Sequence, residues 1–331
     1  MALFTGNGYL VTNITALLAI PASDRPAFRV ALLVQGSSWY EYDNAATTGG
    51  LIPADSPTTG RWFAIAREVL RVNRTYYVRT DGLDSNDGLA NTSGGAFLTI
   101  AKFFSVLNAL DKNGFSVTCQ LANGTYSIAA QINANTGFGT GTVTLIGDTT
   151  TPSNVIITAN ATATNIYCSN CDNLKLQGFM LVATGSAVSP VRSLLKVERG
   201  SVEIFKIDFN AVTGTAFTVH IEGVNGIVNI LSYSISSSVF AHYYFTSYAV
   251  LEAYLNAATI TLTGSPNFST AFAYIDIALA KINKDFIAFS GSATGARYLV
   301  SGNGVIQTNA GGASFLSGNS AGTTSTGGQY L

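Results

Sequence analysis

The chain has 331 residues, a net charge of −1 at pH 7, 11% charged residues and 33 glycines. Without a basic stripe or a run of Arg and Lys it offers nothing to a phosphate backbone, so nucleic acid is excluded as a partner. The longest early apolar stretch, Ala16 to Ile20, is short, ends at Pro21 and lacks a basic flank, so neither a signal peptide nor membrane insertion is expected.

Residues 1–75 carry both tryptophans, Trp39 and Trp62, among strand-like segments of no fixed period. Two aromatic anchors in a short β-rich stretch predict a separate small core. Residues 76–113 follow as an opening loop and a capping helix. The loop from Asp81 to Gly88 is dense in Asp, Asn and Gly, but its glycine and its twelfth position do not fit an EF-hand frame, and Asx-turns explain the same residues without an ion. Thr99 can cap a helix whose apolar residues Ile100, Phe103, Phe104, Leu107 and Leu110 share one face, a lid over an open solenoid end.

Residues 114–310 repeat. The cores beginning at Leu174, Val202 and Val228 are apolar at positions one, three, six and eight and start 28 and 26 residues apart. Alternation within each half marks strands with one buried face, and the skip between halves marks a corner. A strand repeat of this length without helical period predicts an all-β right-handed parallel β-helix, whose coils bury their inward side chains only against one another. A second strand set, Ser193 to Glu198 and Phe217 to Glu222, aligns at 24 residues and gives each coil about three strands. Residues 311–331 are uncharged and rich in Gly, Ser and Thr, which fits a flexible tail or a tail buried across neighbouring subunits.

Candidate chemistry is sparse. At the 24-residue alignment Glu198 stacks over Glu222 on the outside, near the ~5 Å separation of a retaining glycosidase pair. Lys196, Arg199 and His220 beside them would equally neutralise a solvated charge ladder. Asp208 is a third outward acid of the same groove, and Tyr243, Tyr244, Tyr248 and Tyr254 suit sugar stacking or, alternatively, core and subunit contact. Cys168-Ser169-Asn170-Cys171 lacks the further ligands that zinc needs and reads as a turn with small side chains pointing into a coil. Neither a metal nor a cofactor is expected.

The residues Tyr76 to Gly82, Asp84 to Gly88 and Ala96 to Ile100 resemble the opening of right-handed β-helix, pectin-lyase-like domains of bacteriophage tail spikes and tail fibres. Trp39 to Tyr42, Pro53 to Asp55 and Gly60 to Trp62 are similar to the amino-terminal part of such fibres, and Gly318 to Thr323 to their carboxy terminus. The resemblance implies a homotrimeric virion protein, attached to the phage tail or baseplate through residues 1–75 and binding a host surface polysaccharide, with the carboxy-terminal tail at the trimer tip. Relatives that also cleave the glycan leave a depolymerase as the alternative. The calcium-binding aspartate cluster of the pectate lyases is absent from the strands, so no lyase residues carry over.

Overall fold

A computed structural model describes residues 2–4, 8–11, 17–20, 22, 30–33, 38–43, 52–53, 55, 57–59, 61–64, 68–159, 164–184, 192–211, 218–253 and 257–331. The chain divides into two compact units, one of residues 1–71 with 109–113 and one comprising the rest. The smaller unit holds a five-stranded sheet in chain order, Ala2–Phe4, Gly8–Val11, Val30–Leu33, Ser38–Asp43 and Arg61–Ala64, antiparallel except for its second and third strands. Trp62 is fully buried in it.

The larger unit is a parallel β-solenoid with three faces. On the first face the inward residues Val117, Val143, Leu174, Val202, Val228, Leu251, Ala280 and Ile306 stand opposite one another in a single column, all fully buried. The second face has the column Tyr126, Ile157, Leu181, Phe209, Ile235 and Leu262. The third has Ile166, Leu195, Ile221, Tyr243, Ala273 and Tyr298. Each inward side chain packs on its counterparts one coil above and below, so burial along a column fixes register as well as stability. The expected frame from Leu174 to Val202 to Val228 is the observed one.

Corners explain the skip in that frame. Between Leu176 and Phe179, Gly178 takes φ +69°, and between Ile204 and Ile207, Lys206 takes φ +54°. One left-handed residue turns the chain onto the next face and returns the apolar side chains to the inside. A second column of left-handed residues joins the third face to the first: Asn170, Arg199, Asn225, Tyr248, Ile277 and Asn303, with φ between +51° and +64°. Its hydrogen bonds climb the solenoid, as from Asn170 N to Glu198 O and from Arg199 N to Val224 O. Asn tolerates this conformation, whereas a β-branched residue such as Ile277 is strained in it by about 1–2 kcal/mol.

The helix α1 (Ile100–Leu107) packs its buried Ile100, Phe103, Phe104 and Leu107 against Ile132–Ala134 and Arg74–Val78 of the first coils. Thr99 caps it, accepting at Oγ1 from Lys102 N at 3.1 Å. Asp84, from the loop compared with an EF-hand, accepts at its carboxylate from Leu98 N, Thr99 N and Thr99 Oγ1 at 2.8–3.0 Å, so this acid anchors the cap. At the other end, residues 311–331 are built into their own chain. Thr323–Thr324 and Gln329–Tyr330 continue the third and first faces, and Tyr330 stacks on Tyr298 with ring centroids 4.1 Å apart. These two strands thus pair within their own chain. Cys168 and Cys171 are both fully buried, as expected, but are bonded to each other.

One stretch of the interior is polar. His220 and His242 stand in adjacent coils with their Nδ1 atoms 2.8 Å apart, both fully buried. His220 Nε2 lies 3.1 Å from Ser237 Oγ, His242 Nε2 lies 2.7 Å from Tyr233 Oη, and Tyr233 Oη bonds Tyr243 Oη. Ser237 Oγ reaches Phe209 O at 3.4 Å. Counting protons selects a direction. If Tyr243 donates to Tyr233, Tyr233 to His242 Nε2, His242 Nδ1–H to His220 Nδ1, His220 Nε2–H to Ser237 and Ser237 to the carbonyl, every donor has an acceptor. Reversing the chain leaves the Tyr243 proton without an acceptor among the described residues. Burial holds His220 down to about 3 and His242 well below its ordinary value, so both are neutral.

Candidate functional site

Residues of the third face form a ladder that the strand registers define, half-buried except at Glu222, which is buried, 7% exposed, and not on the solvent face where the sequence placed it. Tyr167 stands opposite Lys196, Lys196 opposite Glu222, Glu222 opposite Tyr244, and Tyr244 opposite Tyr274. Successive rungs are separated by one strand spacing, ~4.8 Å, so aromatic and ionic side chains line up along the solenoid axis. The rings of Tyr244 and Tyr274 meet edge to face at 5.1 Å, and Phe240 lies 6.5 Å from Tyr274. Burial, then Tyr274, Glu222 and Asp276, push the Tyr244 phenol above its ordinary value, keeping it a neutral donor.

Both candidate catalytic acids lie on this face, but not stacked. The observed register sets Ser193 opposite Val219 and Leu195 opposite Ile221, so Glu222 faces Lys196 and Glu198 faces Val224. The 24-residue alignment is thus two residues short. Parity hides such an error, because a slip of two keeps the same side chains inward, whereas a slip of one would turn them out. The observed register pairs opposite charges, with Lys196 Nζ 2.8 Å from Glu222 Oε1, where the other would oppose two carboxylates. Glu222 also accepts from Ser193 Oγ. Glu198 accepts from Tyr167 Oη at 2.6 Å and lies 3.3 Å from Arg199 Nη2. That bond raises the Tyr167 phenol above its ordinary value.

The other candidates separate. Tyr243 is fully buried in the interior beside His242, so it presents no surface to a sugar. In sequence it and Tyr244 are equivalent, and only the strand phase decides which of two adjacent tyrosines faces out. Asp208 is on the second face, opposite Met180 and Ser234, and does not share a groove with Glu198 and Glu222. Burial raises its carboxyl above the usual range, opposed by hydrogen bonds including one from Ser236 Oγ at 2.9 Å. Tyr248 stands at the corner and is 78% exposed. Tyr254 lies outside the described residues. Tyr167 and Tyr274 escaped the sequence reading because they enter the ladder only through register.

The fold and this face define a parallel β-solenoid bearing an axial ladder of tyrosines and ion pairs. No known protein family matches the chain, and no curated protein matches it. Among solved structures a rhamnogalacturonan lyase is similar, at 12% identity and a TM-score of 0.33, over 76% of this chain and 87% of that one. A likeness at that level says nothing of activity, and the assignment of the fold rests on the strand registers.

Proposed function

We propose that this chain is the host-recognition component of a bacteriophage tail fibre or tail spike, binding a bacterial surface glycan along the third face of its solenoid. The observation that carries this reading is the ladder Tyr167, Lys196, Glu222, Tyr244 and Tyr274. It combines apolar ring surface with fixed donors and acceptors along one axis, as an extended sugar chain requires. In this reading the protein is a homotrimer in the virion, joined to the tail through residues 1–75.

Binding rather than cleavage is the role proposed for Glu198 and Glu222. Each carboxylate is engaged with a cation and a hydroxyl, which suits a group that fixes the orientation of its neighbours. The test is to incubate the purified protein with polysaccharide from bacterial envelopes, measuring retention and new reducing ends. Retention without new reducing ends, by a protein of trimer mass in light scattering, is the expected result. Absence of retention on every envelope tested would defeat the reading, and cleavage lost in Glu198→Gln and Glu222→Gln would replace it with a glycoside hydrolase.

A further inference from the structure

The corner column between the third and first faces holds asparagine at three of its six positions and a flexible arginine, Arg199, at a fourth. At Asn170, Asn225 and Asn303 the left-handed position holds the residue type that adopts it most readily. At Tyr248 and Ile277 it holds a large aromatic and a β-branched side chain, with φ +64° and +51°, and both are turned to solvent, 78% and 42% exposed. The two are bonded coil to coil, Tyr248 N donating to Ile277 O at 2.6 Å. Burial does not account for them, since neither packs its side chain into the core.

They border a cleft of about 410 Å³ whose floor and walls include Leu279, Gly302 and Asn303. A side chain at Gly302 would run into Asp276 Oδ1 and Ile277, so glycine keeps this wall low. Asn303 is exposed, and its amide has no partner among the described residues. Every residue lining the cleft is uncharged. The nearest acid, Asp276, accepts from Ser301 Oγ at 2.8 Å and would repel an anion rather than receive it. The corner continues directly from the third-face strand that carries Tyr244.

We propose that this cleft is a subsite for an uncharged sugar residue, its flat face on the Tyr248 ring and its hydroxyls on the Asn303 amide. This rests on the glycan-binding reading above and narrows its ligand to a neutral polysaccharide, since the cleft has no cation to meet a uronate or a sulfate and each cation of the adjoining ladder is already paired. The strain held at Tyr248 and Ile277 then places one ring and one aliphatic group at the rim of the site, where asparagine would leave only a small polar edge.

The test uses the full chain on an array of uncharged and uronate-bearing bacterial surface polysaccharides, with Tyr248→Ala, Tyr248→Phe and Asn303→Ala beside the wild type. Binding to uncharged polysaccharides is expected, weakened at least about tenfold in Tyr248→Ala and Asn303→Ala and kept in Tyr248→Phe, with every variant still melting cooperatively and Asn303→Ala, which puts alanine at φ +60°, melting somewhat lower. Wild-type binding that survives Tyr248→Ala, or that is confined to uronate-bearing polymers, overturns the subsite while leaving glycan binding standing. Wild-type failure on the whole array overturns both. A drop in oligomer mass on Tyr248→Ala would show the corner to be a contact between copies of this chain, and would also overturn the subsite.

Discussion

Two neighbouring stretches of the solenoid interior are built on opposite chemistry. From Leu174 to Phe209 the inward positions Leu174, Leu176, Phe179, Leu181, Val202, Ile204, Ile207 and Phe209 are apolar and buried. From Thr218 to Tyr243 the interior encloses His220, Tyr233, Ser237, His242 and Tyr243 in one hydrogen-bonded chain. The apolar stretch is held by area removed from water, ~25 cal/mol per Å², and tolerates small errors of fit. The polar stretch adds little net stability per bond, and each proton left without an acceptor costs about 1–3 kcal/mol. One region therefore stabilises the fold, and the other penalises any arrangement but its own.

The largest effect expected falls on the apolar side. Ile204→Asp removes a fully buried side chain from the first face and puts an unpaired carboxylate in its place. The lost burial, roughly 2–3 kcal/mol, and the desolvation of the acid together exceed about 4 kcal/mol, enough to unfold the adjoining coils. Circular dichroism melts would check it. A cooperative transition near the wild-type temperature would show that the inward column is misassigned.

Between pH 7.5 and 5.5, above the range in which the carboxylates titrate, acid should act on the polar side. The chain contains two histidines, both in this cluster. Their folded pKa values lie below the unfolded value of ~6.5, so below that pH the unfolded chain binds more protons and stability falls. The loss starts near pH 6.5 and continues toward pH 3, reaching about 2–3 kcal/mol by pH 5.5 if both histidines stay neutral when folded. The groups facing the pair are Tyr233, Tyr243, Ser237, Phe209, Phe268 and Phe272, so no charged side chain among these contacts supplies a counter-charge to an imidazolium. Denaturant unfolding at pH 7.5 and 5.5 measures the difference, and the same slope in a His220→Phe/His242→Phe double variant would assign it elsewhere.

How much of this was legible in the sequence follows from parity. Alternation showed which halves were strands, and the skip between Leu176 and Phe179 showed a corner, because both survive any even slip of register. The pairing of Lys196 with Glu222 did not show, since Leu-Lys-Val-Glu and Val-His-Ile-Glu match equally well two residues apart. The polar interior was hidden for a related reason. His220 occupies a place that simple alternation assigns to the outside, yet it stands in a column with His242 and the buried Phe272, where the third face curves inward. A histidine is written the same whether it meets water or another histidine.

The direction of the buried chain gives a smaller effect. Ser237→Ala removes the acceptor of His220 Nε2–H and should destabilise the protein by about 1–3 kcal/mol. Tyr243→Phe removes only the first donor, leaves Tyr233 bonded to His242, and should cost less than about 1 kcal/mol. Nitrogen shifts of the imidazoles read the tautomers directly: His242 protonated at Nδ1 and His220 at Nε2. The opposite tautomers would reverse the chain.

The smallest effect, that of Lys206→Gly, sharpens the comparison from outside the core when set beside Gly178→Ala. Gly178 and Lys206 make the same turn one coil apart, both left-handed. They are not interchangeable, because a side chain at Gly178 would meet the backbone of Asp148 and Thr149 at 2.6–2.9 Å, whereas Lys206 projects into solvent. Lys206→Gly relieves a strained φ but gives the unfolded chain more freedom, two terms of about 1 kcal/mol and opposite sign. The net change should lie within about 0.5 kcal/mol of zero, while Gly178→Ala should cost more than about 2 kcal/mol through backbone displacement. If the two substitutions proved equally mild in urea titrations, the second-face strands would not be held against Asp148–Thr149 as tightly as Gly178 indicates, and the corner would be a flexible joint between rigid columns.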